Sequence, residues 1–177
     1  RALQAIADLP LFWVEIDSYS PEALAYIRSR SPHPISTGET FIGIREFLPF
    51  FQAQALDVAI VDTVWNGVWQ SMKIANLAEA FEVNVAPHNP MGPLATAVNL
   101  HFCAALTNFK ILEYRLPKGA SYHSDGMSGS DSADYVVDPY LPKDGYLDLR
   151  PERPGWGVEI DEAYLKTDRY VHWERKL

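Results

Sequence analysis

Five ionisable side chains follow short apolar runs at nearly even spacing along this chain. They are Glu15, Glu39, Asp62, His88 and Glu113. Neighbouring members of the set lie 23 to 26 residues apart, which is room for one strand and one helix. A single acid after a strand is most often a helix cap or a solvated loop residue. Five such residues in register indicate a shared site, and we call them the rim residues.

The first two rim residues suit a hard metal ion. Glu15 and Glu39 follow consecutive apolar runs, so we expect them on neighbouring strands. Two carboxylates held close together repel each other unless a cation lies between them. Oxygen ligands favour Mg²⁺ over zinc, and octahedral Mg²⁺ would accept a further protein carboxylate that the sequence does not reveal.

The other three rim residues suit proton transfer. Asp62 can accept a hydrogen bond from one ring nitrogen of His88 and leave the other nitrogen facing a substrate, which makes a general base or acid. Glu113 would face the same opening and could hold a proton or bind a substrate carboxylate. A metal beside a histidine base suits removal of a proton next to a carboxylate, because Mg²⁺ stabilises the resulting enediolate.

Nucleophilic hydrolysis fits the sequence poorly. Cys103 falls in a helical pattern and Ser36 in a strand pattern, and the chain has no G-x-S-x-G motif. The phosphate-binding motif G-x-G-x-x-G is also absent.

Alternating strands and helices would position the rim residues. Near-continuous apolar runs at 11–14, 34–37, 57–61, 83–86 and 109–112 are typical of parallel strands that are buried on both faces. Between them, Ser20 and Pro21 resemble a helix cap and first helical residue, and helical periodicity follows around 44–51, 74–81 and 93–105. Parallel strands joined by helices place all their carboxyl ends on one rim.

The composition describes a globular protein with an acidic surface. The chain has 177 residues, 47% of them hydrophobic, and a net charge of -8, which disfavours nucleic acid as a partner. We expect no membrane association and a cytoplasmic location, because neither a spanning segment nor a secretory leader is evident. Cys103 is the single cysteine, so a disulfide framework is excluded within this chain.

These residues lie in motifs that resemble a known family. The motifs are Trp13-Val14-Glu15, Pro34-Ile35-Ser36-Thr37-Gly38-Glu39, Asp62, Ala86-Pro87-His88-Asn89-Pro90-Met91-Gly92-Pro93, Leu112-Glu113 and the tail segment from Pro154 to Ala163. Together they resemble the C-terminal half of the enolase superfamily of the mandelate racemase/muconate lactonizing type. Within it, the chain is similar to the acid-sugar dehydratases of the galactonate type.

The resemblance implies a role for each rim residue. It implies that Glu15 and Glu39 are metal ligands on the fourth and fifth barrel strands. Asp62 and His88 would form the proton-transfer dyad of the sixth and seventh strands. Glu113 would be the acid of the eighth strand, close to the substrate carboxylate or the developing enolate.

The resemblance also implies a domain organisation. Residues 1–116 would form the later βα units of a (β/α)₈ barrel, about strands 4 to 8, and 117–177 a C-terminal tail that packs on the barrel. A whole barrel takes about 250 residues, so the first strands and the N-terminal capping domain would lie elsewhere in a longer polypeptide. Two positions depart from the family pattern: Ile16 replaces a second acid, and Val68 replaces the second glycine of a pair.

The resulting prediction is a Mg²⁺-dependent dehydratase that acts on a small anionic sugar acid. After proton abstraction, loss of the 3-hydroxyl would give a 2-keto-3-deoxy acid. A racemase, an epimerase or a cycloisomerase of the same superfamily is the near alternative, and a non-catalytic family member is the distant one. We also expect a homo-oligomer.

Overall fold

Four parallel strands form one sheet in the computed structural model, which describes residues 1–115 and 135–167. The strands are β1 (Val14–Glu15), β2 (Ile35–Thr37), β3 (Val58–Asp62) and β4 (Asn84–His88), in the order β1-β2-β3-β4. Each strand pairs in parallel with the next one in the chain. The predicted α/β fold class with a parallel sheet is therefore confirmed.

Helices precede, separate and follow the strands. They are α1 (Ala2–Ala5), α2 (Pro21–Arg28), α3 (Ile44–Gln52), α4 (Thr63–Ala80) and α5 (Pro93–Ala104). The predicted cap of α2 is present, since the Ser20 hydroxyl accepts a hydrogen bond of 3.2 Å from the N–H of Ala23. Within the described ranges, none of the helices has the length and apolar character needed to cross a membrane.

The predicted strand at 109–112 joins the sheet at one point. A single parallel bridge connects Phe109 to Val85, with hydrogen bonds from Val85 N to Asn108 O and from Lys110 N to Val85 O. The apolar run predicts a full strand, but in the described structure it forms one bridge at its first residue. The position of Glu113, further along this run, must be set by other contacts.

The two faces of the sheet are covered unequally. The face under the helices carries the main core, in which Phe47, Phe51 and Ile74 are fully buried. The opposite face carries a smaller hydrophobic cluster of Val58, Ile60 and Ala86, with Trp13 packed against it. Because side chains alternate along a strand, this thinly covered face is also the one toward which the ends of β3 and β4 direct their last side chains.

The described part of the tail packs on α5. Tyr140 is buried against Ala97 and Leu100, and Leu147 and Val158 contact the same cluster. Residues 116–134 and 168–177, which belong mostly to the predicted tail, lie outside the described residues. The division at residues 116 and 117 stays a prediction.

An ion pair at the amino end of the sheet connects α2 with β2 and β3, and we call it the Arg28–Asp57 pair. Arg28 of α2 donates from Nε and Nη2 to Asp57 Oδ1 at 3.0 and 2.7 Å. The other carboxylate oxygen of Asp57 accepts from the N–H of Ile35 at 2.8 Å. The acid that precedes β3 is thereby bonded to both α2 and β2.

Candidate active site

Glu15 and Glu39 reach the rim by different local routes. Glu15 is the last residue of β1, whereas Glu39 follows β2 after Gly38. Gly38 has φ +119°, and a Cβ at this position would lie 2.7 Å from a ring carbon of Phe47. Only glycine fits this turn. The turn places Glu39 at the rim although it lies two residues after the end of β2.

Asp62 and His88 meet across the last register position of β3 and β4. The two residues are paired in the ladder, and Asp62 Oδ2 lies 2.8 Å from His88 Nδ1. Asp62 is fully buried, and its Oδ1 accepts from the N–H groups of Val64 and Trp65 at 2.7 and 2.8 Å as the N-cap of α4. Three donors therefore converge on this carboxylate, so Nδ1 carries the proton and Nε2 is the imidazole nitrogen left for other partners.

Gly67 separates the first turn of α4 from the rest of the helix. Gly67 has φ 70° and ψ 150°, a backbone conformation outside the helical region. The side chain of Asn66, just before it, accepts from Gly43 N at 2.7 Å and donates to Phe41 O and Asp62 O. Although Val68 replaces the second glycine of the family pair, Gly67 alone supplies the left-handed backbone at this turn.

His88 also approaches the acid that follows β2, two strands away in the sheet. Its Nε2 lies 3.4 Å from Glu39 Oε2, and its side chain is 17% exposed against 34% for Glu39. The imidazole ring is thus placed between the buried Asp62 and the partly exposed Glu39. This arrangement gives one ring nitrogen to the protein interior and the other to the rim.

Glu113 is held at the rim by the residue that follows His88. Its Oε2 accepts from Asn89 N at 2.7 Å, and its main-chain oxygen accepts from Asn89 Nδ2 at 2.8 Å. The sequence patterns did not identify Asn89 as a functional residue, nor its buried partner Asn99. The available signal was an amide side chain at position 99 inside a mainly apolar helical run.

The charged form of Glu15 is unfavourable at the rim. Partial burial raises the pKa of the Glu15 carboxyl, and the negative charges of Glu39, Asp17 and Glu113 raise it further. The nearby His88 lowers the same pKa. Asp17 therefore adds to the negative field although it was not predicted as a site residue.

Four of the rim residues line one pocket of about 540 Å³. Glu15, Glu39, His88 and Glu113 supply its polar groups, while Asp62 lies behind His88. The remaining lining is apolar: Phe12, Trp13, Ile60, Ala86, Pro87, Ile111 and Leu112. No Lys or Arg contributes to the lining in the described part of the chain, so an anionic substrate would need a cation beside it.

The donor set partly fits a divalent cation. Glu15 and Glu39 share the pocket, and the pKa of Glu15 is raised first by burial and then by the negative charge of Glu39, a repulsion that a cation would relieve. Within residues 1–115 and 135–167, no group of three or more potential metal-ligating acids, histidines or cysteines is assembled. These two carboxylates are consistent with part of a metal site that needs further ligands, and the predicted ligand and catalytic roles stay predictions.

Comparison with known families agrees with this geometry. The profile described as enolase C-terminal domain-like matches residues 1–164. The chain belongs to the enolase C-terminal domain-like family. Its resemblance to the enolase superfamily, predicted from the rim motifs, is thereby confirmed.

Curated relatives of this enolase C-terminal-like chain are sugar-acid dehydratases. It is 34% identical over 161 residues to D-galactonate dehydratase of Ralstonia nicotianae, which covers 88% of the chain and 40% of the relative. It is 35% identical over 162 residues to D-galactonate dehydratase of Xanthomonas axonopodis pv. citri, covering 89% and 40%. The chain therefore spans about 40% of the length of these relatives.

Solved structures of the family include more than one assigned activity. A protein of Burkholderia xenovorans, provisionally described as an L-alanine-DL-glutamate epimerase and bound to magnesium and fumarate, is 49% identical with a TM-score of 0.79, covering 91% of this chain and 37% of that one. An enolase of Agrobacterium radiobacter, provisionally described as a galactarate dehydratase and bound to sodium and L-malate, is 46% identical with a TM-score of 0.83, covering 97% and 45%.

Proposed function

We propose that this chain is the proton-transfer part of a sugar-acid dehydratase. The observation that carries the proposal is the Asp62–His88 pair, whose second ring nitrogen, Nε2, lies at an acidic pocket 3.4 Å from Glu39 Oε2. The similarity to D-galactonate dehydratases over 88% of the chain supports the substrate class. The reaction would remove the proton next to the substrate carboxylate and expel the 3-hydroxyl, giving a 2-keto-3-deoxy acid.

His88 would transfer the proton through Nε2. Asp62 fixes the ring by its 2.8 Å bond to Nδ1, so the tautomer and the orientation of Nε2 are set before substrate arrives. Because Asp62 is fully buried and also caps α4, the ring orientation is tied to the sheet and not to a loop. His88 could serve as the base or, in the second half of the reaction, as the acid that assists departure of the hydroxyl.

Glu15 and Glu39 would contribute two ligands to a Mg²⁺ ion. The ion would supply positive charge beside the substrate carboxylate, which the described pocket lining lacks. Further ligands would come from outside the described residues. Glu113, held through Asn89, would hydrogen-bond the substrate on the other side of His88.

An epimerase is the second candidate, because a provisionally assigned epimerase shares 49% identity with this chain. Both reactions begin with the same proton abstraction and differ in the fate of the anion. Products therefore distinguish them: a dehydratase releases a 2-keto-3-deoxy acid, whereas an epimerase returns the starting compound with inverted configuration and solvent deuterium at the abstracted position.

The test uses the full-length protein with Mg²⁺. D-galactonate, galactarate and an L-Ala-Glu dipeptide are supplied in deuterated water, and 2-keto-3-deoxy acid and deuterium incorporation are measured. We expect keto acid from at least one sugar acid and no exchange into the dipeptide. Exchange and inversion of the dipeptide with no keto acid would favour the epimerase instead.

Two histidine variants test the assigned proton donor or acceptor. His88→Asn is expected to lower kcat by about 10²–10⁴-fold, the range for loss of a general acid or base. His101→Asn is the matched control, because His101 Nδ1 donates to Ala97 O at 2.8 Å and the ring packs on Trp156, away from the pocket. Equal kcat in both variants would contradict the role of His88.

A further inference from the structure

A chain of buried hydrogen bonds lies directly behind the rim. The Thr63 hydroxyl donates to Asn99 Oδ1 at 2.7 Å, and Asn99 Nδ2 donates to Asn89 Oδ1 at 3.0 Å. Asn89 Nδ2 then donates to Thr96 Oγ1 at 3.0 Å and to the main-chain oxygen of Glu113 at 2.8 Å. Both asparagines are fully buried, and both threonines are 3% exposed. We call this chain the amide brace.

The direction of every bond in the amide brace is determined by one group that can only accept. The main-chain oxygen of Glu113 requires Asn89 to present Nδ2, which turns Asn89 Oδ1 toward Asn99. Asn99 must then present its own Nδ2, which leaves its Oδ1 for the Thr63 hydroxyl. Reversing any one amide would place two oxygens or two N–H groups face to face in a buried site, so the brace has a single orientation.

The brace joins the chain positions next to three rim residues. Thr63 directly follows Asp62, and Asn89 directly follows His88. At its other end the brace holds Glu113 twice: Asn89 Nδ2 bonds the main chain, and Asn89 N donates to the carboxylate Oε2 at 2.7 Å. One side chain therefore links the position of the imidazole to the position of the neighbouring carboxylate.

The sheet itself does not supply this link. In the described structure the segment that carries Glu113 is bridged to β4 only at Phe109 and Val85, four residues before the carboxylate. Beyond that bridge, the bonds from Asn89 take the place of the missing ladder bonds. Arg115 Nη1 also joins the two segments by donating to Pro90 O at 3.2 Å, but among the described contacts between them the bonds from Asn89 are those made to Glu113 itself.

We propose that Asn89, oriented by Asn99 and Thr63, is a positioning residue that sets the Glu113 carboxylate relative to His88. The inference rests on the proposed function, in which both side chains act on one substrate. A displacement of about 1 Å between two such groups can lower a rate by about 10²-fold, which gives the brace a measurable effect without any contact to substrate.

The main variants remove the amides and keep the side-chain volume. Asn89→Leu and Asn99→Leu in the full-length protein are expected to lower kcat by about 10–100-fold, the range for loss of a group that orients an active-site residue. Asn108→Leu is the matched control. Asn108 Nδ2 also donates to two main-chain oxygens, those of Ala75 and Val83, but at the amino end of the sheet. The control is expected to lose thermal stability with kcat unchanged.

Two smaller substitutions at Thr63 keep the test valid if the leucine variants do not fold. Thr63→Val removes one hydroxyl from the far end of the brace, and Thr63→Ser puts a hydroxyl back. We expect kcat to fall with valine and to recover with serine. Values of kcat within twofold of native in Asn99→Leu and Thr63→Val would overturn the proposal, as would an equal fall in Asn108→Leu.

A crystal structure of Asn99→Leu separates failure of this inference from failure of the proposed function. We expect the distance from Asn89 N to Glu113 Oε2, now 2.7 Å, to lengthen beyond hydrogen-bonding range. An unchanged distance would overturn the brace whatever the protein catalyses. If the native protein turns over no sugar acid but the distance lengthens, the proposed function fails and the positioning role of Asn89 stands.

Discussion

Acidic side chains at the two ends of the sheet are treated differently. At the amino end, both oxygens of Asp57 are occupied, by the guanidinium of Arg28 and by the N–H of Ile35. At the carboxyl end, Glu15 and Glu39 share a pocket whose described lining contains no Lys or Arg. A carboxylate that the protein neutralises stabilises the fold, whereas carboxylates left to repel each other reduce stability and are expected where a ligand supplies the missing charge.

Asp62 lies at the carboxyl end of the sheet but has three hydrogen-bond partners, and changing it should give the largest effect. Asp62→Asn would turn an N–H group toward one of three donors, those of Val64, Trp65 and the His88 ring. We expect kcat for the sugar acid to fall by about 10²–10⁴-fold, because Nε2 loses its fixed tautomer and orientation. Steady-state kinetics on the folded fraction provide the measurement. In the matched variant Asp57→Asn kcat should be retained, and a native kcat in Asp62→Asn would remove the rim from the catalytic scheme.

Arg28 tests the opposite end of the comparison. Arg28→Ala removes two bonds to Asp57 and one to the main-chain oxygen of Gln54, at 2.9 Å. We expect a loss of about 2–3 kcal/mol in the free energy of unfolding, measured by urea denaturation, with kcat unchanged. Arg30→Ala serves as the control, because the Arg30 side chain donates to Tyr26 O and Ser29 Oγ at the end of its own helix and stacks on the Tyr26 ring. Equal losses of unfolding free energy in the two variants would show that the Arg28–Asp57 pair stabilises the fold no more than the contacts of Arg30 do.

Gly67 supplies a backbone conformation near the rim that glycine adopts without strain. Its φ of 70° with ψ of 150° is a region that other residues avoid, although no atom lies within 4 Å of a Cβ placed there. Gly67→Ala should therefore reduce the free energy of unfolding by about 1–2 kcal/mol through backbone strain alone. Urea denaturation with an unchanged m-value would support this cause, and an unchanged midpoint would contradict it.

Glu15 gives the smallest and most pH-dependent effect. Its pKa lies above the ordinary value of 4.5, chiefly through burial and then through Glu39, so the charged form is less favourable in the folded state than in the unfolded one. Stability is therefore full below that ordinary value and decreases as pH rises through the raised pKa. Glu15→Gln should stabilise the protein in EDTA at pH 7, by less than about 1 kcal/mol because solvent screens the carboxylate.

Two conditions check the origin of that small gain. The advantage of Glu15→Gln in thermal melting should disappear below pH 4.5, where the native carboxyl is protonated in both states. It should also disappear or reverse in saturating Mg²⁺, because the native carboxylate then binds the cation. A gain that is constant with pH and metal would point to packing and not to charge.

Local sequence patterns predicted the strands and the rim residues for one reason. Near-continuous apolar runs mark strands that are buried on both faces, and the first polar residue after such a run must emerge where the strand ends. Glu15, Asp62 and His88 each lie at the last position of a strand as bounded in the structure. The helix cap at Ser20 was equally local, because a cap needs only its own next three residues.

The same patterns could not show how far the last run would pair. The run at 109–112 has strand composition, yet the described structure gives it a single bridge to Val85. Pairing depends on how a neighbouring segment approaches, and composition carries no information about that approach. The amide brace was missed for a related reason, since Asn89 and Asn99 appear in the sequence as a loop residue and an interruption in a helix.

By itself, the sequence determined the alternation of strands and helices, the acidic character of the protein and the identity of the side chains at the carboxyl ends of the strands. These properties follow from residue type and short-range spacing. Only the tertiary structure decided which charges are neutralised. Arg28 reaches Asp57 across 29 residues, and Asn89 reaches Glu113 across 24. Such pairings depend on how the sheet twists and how the helices pack against it, and short-range patterns do not encode that geometry.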